Sequence, residues 1–105
     1  MPVDIPTFRI YAKISDYIYN NFSDETVSQE KLREIIGTEF NIMSASAIER
    51  HFQNMVMAKF IHATVSGMKA TKINWTEFED KIRRKTREIA EEEVKKNGWI
   101  QNDNW

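Results

Sequence analysis

The sequence predicts a mainly α fold with one small β-hairpin and a long C-terminal helix, on three observations. Apolar residues recur at spacings of three and four through most of the chain, as helices with one buried face require. One stretch, residues 60–75, changes to short runs rich in β-branched and aromatic residues around a Ser-Gly pair. Only three Gly and two Pro occur, which disfavours a loop-rich or sandwich fold. At 105 residues the chain is expected to form a single domain, 1–105, with no room for a second core.

The first helix is expected over 7–22. Thr7 follows Pro6 and precedes a wide stripe of Phe8, Tyr11, Ile14, Ile18 and Phe22. A second helix is expected over 28–37, begun by Ser28, buried through Leu32, Ile35 and Ile36, and ended at Gly37. Phe40 and Ile42 then plug a turn into the core. The third helix, 44–59, is capped by Ser44 and buries Ile48, Phe52, Met55 and Val56. The hairpin, 60–75, turns at Ser66-Gly67 and points Phe60, Ile61, Ile73 and Trp75 inward. Thr76 to Glu79 reads as a capping box for a last helix over 77–97, with Gly98 placed to end it.

Charge is distributed unevenly. Residues 1–41 carry four basic and seven acidic side chains, net −3. Residues 42–74 carry Arg50, Lys59, Lys69 and Lys72 against Glu49, net +3, and are the only net-positive third. A nucleic-acid surface needs its positive charge there. Ser44, Ser46 and Ala47 let the third helix approach a groove closely, Arg50 can pair with guanine, and Asn54 with adenine. Lys69 and Lys72 are placed for phosphate contact, and a plainer reading makes them solubilising charges on a hairpin edge.

The stretch 27–75 resembles the winged helix-turn-helix superfamily of transcriptional regulators. SASAIERHFQNMVMAKFI is similar to that family's S-x-S-x-(aliphatic)-x-R-H-(apolar)…F-I recognition helix running into its wing. The resemblance implies that Ser44, Ser46, Ala47, Arg50, His51 and Asn54 face DNA and that Lys69 and Lys72 lie on the wing. It implies a sequence-specific double-stranded DNA-binding protein, a transcriptional regulator. Small size, thirteen isoleucines against one leucine, and the terminal helix are similar to compact regulators of archaeal plasmids, viruses or low-GC phages.

The last helix carries Phe78, Ile82, Ile89 and Val94 as a thin apolar stripe, with Trp99 beyond it. Its basic first half and acidic second half suit pairing with its own copy, so a homodimer is expected. The basic run Lys81–Arg87 reads as a second nucleic-acid contact or, more plainly, as a solvated face. The glutamates at 91–93 read as solvated.

No Gly-rich phosphate loop, Ser-His-Asp order or paired acid and base appears, so no enzyme, catalytic residue, cofactor or small-molecule substrate is expected. His51 and His62 lack the third and fourth ligands a zinc ion needs, so no metal is expected. The chain has no Cys, no membrane-length apolar run and no basic segment ahead of an apolar one at its start. A cytoplasmic location, inside the host cell for a viral protein, is therefore expected, with no membrane partner. Winged helices also serve as protein-interaction modules. The alternative function is an adaptor in a replication, transcription or anti-defence complex.

Overall fold

A computed structural model describes the backbone of residues 5–97 and the side chains of residues 5–92. The described chain is mainly helical, with a small three-stranded antiparallel sheet. It divides into two compact units, one ending at Ile73 and one starting at Asn74.

The first unit opens with helix α1 (Ile5–Asn21), helical already before Thr7, so that Thr7 lies inside the helix. Pro6 is tolerated in the first turn because its missing N–H has no helical partner there. The buried face is Tyr11, Ala12, Ile14, Ser15 and Ile18. The end is closed locally: the Asn20 and Asn21 amides donate to the carbonyls of Asp16 and Tyr17, at 2.9 and 2.8 Å.

A short 3-10 turn (Ser23–Glu25) follows, in which Asp24 and Glu25 take left-handed backbone, φ 57° and 56°. It delivers strand β1 (Thr26–Val27), two residues the sequence pattern did not reveal. Ser28 then caps helix α2 (Gln29–Phe40), its hydroxyl accepting from the Lys31 N–H at 3.0 Å. The helix runs one turn beyond Gly37. It stops at Asn41, left-handed at φ 53°, where Asn41 N–H reaches Thr38 O and Ile42 N–H reaches Gly37 O. That pair of bonds is the Schellman closure, and Asn is a residue that enters left-handed backbone readily. Gly37 serves contact instead. A Cβ there would meet Ile42 O at 3.2 Å and Ile48 Cδ1 at 3.3 Å, so its hydrogen side chain lets α2 lie close to the next helix.

Helix α3 (Ala45–Met57) buries Phe52 and Met55. It ends by the same closure one residue type less comfortably, with Lys59 N–H on Val56 O and Phe60 N–H on Met55 O. Lys59 sits at φ 67°, a conformation costing a non-glycine residue about 1–2 kcal/mol. Burial of Phe60 and Ile61 immediately after the turn offsets that cost.

Strands β2 (Ile61–Thr64) and β3 (Gly67–Ala70) pair antiparallel, Ile61 opposite Ala70 and Thr64 opposite Gly67. The turn is therefore Val65-Ser66, one residue earlier than expected, and residues 71–74 lie outside the sheet. The Thr64 hydroxyl holds the turn, donating to Gly67 O at 2.8 Å. Strand β3 is central, flanked by β2 and by β1 through Val27–Met68. Gly67 has φ 139°, and a Cβ would come within 2.7 Å of Val27 O. Glycine thus permits β1 to join the sheet. The core collects Tyr11, Ile14, Ile18, Leu32, Ile36, Met55 and Ile61 at or near zero exposure, with Met68 buried and Met57 not.

The described part of the second unit is helix α4 (Trp75–Asn97). Trp75 begins this helix rather than ending a strand. Its cap is Asn74, whose Oδ1 accepts from the Glu77 N–H at 3.1 Å, two residues before the expected Thr76. Trp75 and Phe78 meet edge to face at 5.6 Å. Gly98, expected to end the helix, lies outside the described residues.

Candidate nucleic-acid interface

Helix α3 has three kinds of surface, and its position between α2 and the hairpin sorts them. Phe52 and Met55 point to the core. One full side is exposed: Ser46, Arg50, Gln53 and Met57 follow at i, i+4, i+7 and i+11, a single strip along a helix. Met43, 94% exposed, stands just ahead of it. Ser44 is committed to capping, accepting from Ala47 N–H at 3.3 Å, with its hydroxyl also 3.1 Å from that of Ser46. Ala47 is half-buried. Arg50 makes no hydrogen bond or ion pair among the described residues, so its five donors are free for an acceptor.

The third surface faces α1. His51 and Asn54, grouped by sequence with Arg50 as DNA contacts, are half-buried and engaged elsewhere. The His51 ring stacks on Phe40, with centroids 4.0 Å apart and planes within 9°. Its Nδ1 lies 2.8 Å from the Tyr11 hydroxyl. The Asn54 amide donates to the same hydroxyl at 3.3 Å. One arrangement satisfies all three groups: Asn54 gives a proton to the phenol oxygen, and the phenol gives its own to Nδ1. The reason is Tyr11 itself. Its ring is fully buried, and a buried phenol needs polar partners from whichever helix covers it. The signal was a tyrosine inside the apolar stripe of α1, which obliges a facing helix to turn polar residues inward.

Gln53, which sequence reasoning passed over, is the exposed amide instead. It donates to Glu49 at 2.9 Å, and Glu49 also accepts from Arg33 at 3.0 Å. The Gln53 amide first, and the Arg33 guanidinium next, hold the Glu49 carboxyl below its usual range. Arg33 lies over the Phe52 ring, 4.6 Å from its centroid. The one acid of residues 42–74 is thereby tied to a cation from α2, and Arg50 keeps its positive charge uncompensated.

On the hairpin, Lys69 sits in the central strand. It is partnered by Glu25 at 3.2 Å, which reduces what it offers to a phosphate. His62 lies opposite it in register and is exposed. Lys72 is exposed beyond the strand end, and the tip itself is Val65-Ser66, uncharged. Sequence thus brought together eight residues, of which Ser46 and Arg50 share the open strip, joined by Gln53.

On α4, Phe78 is half-buried, Ile82 buried and Ile89 47% exposed. The side chain of Val94 and all of Trp99 lie outside the described residues. No described helix is long and apolar enough to cross a membrane. Among the described residues no three His, Cys, Asp or Glu side chains gather as a metal site would require. Neither a protein-family model, a curated protein nor a solved structure matches the chain.

Proposed function

We propose that the first unit is a winged helix-turn-helix module that binds double-stranded DNA with sequence preference, and that the protein regulates transcription. The observation carrying this reading is the outer strip of α3. A helix exposed along one side, with a small Ser46 near its start and an unpaired Arg50 at its middle, fits the width of a major groove. The element order supports it: α2 and α3 joined by a short turn, then a two-stranded ribbon paired to a strand ahead of α2. In this reading Arg50 and Gln53 meet base edges, Ser46 gives close approach, and Lys72 and Lys69 meet phosphate. His51 and Asn54 set the pitch of α3 against α1 and touch no base.

The test is fluorescence anisotropy with A/T-rich and random duplexes across a salt series. Binding that is sequence-dependent and falls steeply with salt is the expected result. Arg50→Ala should weaken specific binding by about 1–3 kcal/mol while leaving the fold intact. Equal affinity of Arg50→Ala and the natural chain would remove α3 as the reading element.

A second reading has its own observation. Met43, Met57 and Val65 are 94%, 78% and 106% exposed, large apolar groups at the two ends of α3 and at the hairpin tip. Such groups suit a protein partner in a replication, transcription or anti-defence complex. Indifference to DNA at low salt would favour this adaptor reading.

A further inference from the structure

We propose that α4 pairs antiparallel with the α4 of a second copy of this chain, through one charged flank. From Lys81 to Arg87 the helix carries five cations and no acid, and from Glu88 to Glu93 four carboxylates and no base. A helix whose sign reverses near its middle complements itself only head to tail, because parallel pairing in register would set like charges opposite.

The flank can be named. With 3.6 residues per turn, Lys81, Lys85, Glu88 and Glu92 lie along one side of the line through Phe78, Ile82 and Ile89. All four are exposed, and none is ion-paired among the described residues. Asp80 and Arg83, by contrast, satisfy each other within the helix. Two copies crossing antiparallel near Thr86 and Arg87 bring Lys81 beside Glu92 of the partner subunit. The same crossing brings Lys85 beside Glu88 of the partner subunit, and symmetry doubles both pairs. Ile89, half-exposed beside this flank, becomes covered. Ile82 is already buried, so the seam is narrower than the sequence stripe and chiefly electrostatic. Exposed ion pairs are individually weak, so the dimer is weak and salt-sensitive.

The inference stands apart from DNA binding, and its test uses the full chain without DNA. Sedimentation equilibrium at low and high salt should show a dimer that dissociates as salt rises. Lys81→Glu with Lys85→Glu makes the flank wholly acidic, and Glu88→Lys with Glu92→Lys makes it wholly basic. Each double variant alone should self-associate at least about tenfold more weakly. The two mixed should associate, and the chain carrying all four substitutions should regain the natural dimer, which guards against a double variant that merely unfolds. A natural chain monomeric at low salt in the hundred-micromolar range overturns the proposal. So do double variants that dimerise as tightly as the natural chain, or that ignore each other when mixed.

Discussion

Helices α3 and α4 are held by opposite means. Helix α3 is placed by its surroundings: Phe52 and Met55 in the core, His51 and Asn54 on Tyr11, Glu49 on Arg33 of α2. Helix α4 is shaped by its own sequence, with Asn74 at its start, Asp80 on Arg83, and charge over nearly all of its surface. The lesson is that a helix fixed by tertiary contacts can leave one strip free for a ligand without losing its position. Helix α4 buries Ile82 but leaves its charged flanks exposed, and in the proposed pairing its charge order is the means of recognition.

The largest effect should come from breaking the tertiary anchor. Met55→Ala empties a site of zero exposure and should lower unfolding free energy by about 2–5 kcal/mol in urea titrations. A loss near zero would mean that α3 is not held by its buried face. Tyr11→Phe keeps the ring but leaves the His51 and Asn54 groups short of a partner, at a cost of about 1–3 kcal/mol. On the proposed DNA-binding reading, the affinity of the fully folded variant should match that of the natural chain; a large drop would place His51 and Asn54 among the proposed contacts. For α4 the corresponding change is Asn74→Ala, a cap worth about 1 kcal/mol. It should reduce far-ultraviolet helicity, since it removes the acceptor of the Glu77 N–H in the first turn.

The smallest effect concerns Glu49. Its carboxyl is lowered in the folded chain, so its contribution is present above the ordinary carboxylate value and is lost as pH falls through the lowered one. Because the group is solvent-exposed, the contribution is slight. Glu49→Gln should flatten the acid limb of the stability profile slightly and leave neutral pH almost unaffected.

Most helices were legible because their apolar spacing is long enough to count. Ser28 and Ser44 declared two starts, since a hydroxyl before an apolar run has few other uses. Two of the failures share a cause in glycine. Gly37 and Gly67 were taken for their backbone freedom, as a helix end and a turn. Each is required at least as much for its missing Cβ, against Ile48 in one case and Val27 O in the other. Nothing local distinguishes those uses. Strand β1 escaped because two residues carry no period; its existence depends on a central strand more than forty residues away. At the candidate site, the exposure of Arg50 was readable from helix spacing alone. The inward turn of His51 and Asn54 was not, because it depends on where α1 places one phenol.

One buried hydroxyl ties distant parts of the chain to a common fate. Ser15 Oγ lies 2.9 Å from Phe60 O and 2.7 Å from Thr71 O, sharing its single proton between the two carbonyls at the open end of the hairpin. Phe60 O also accepts the Thr71 N–H. The hairpin therefore cannot fray at that end without exposing α1 to solvent in the same event. In hydrogen exchange, the Thr71 amide should behave as a core amide of α1 does, opening only when the whole unit opens, even though its own side chain stands in water.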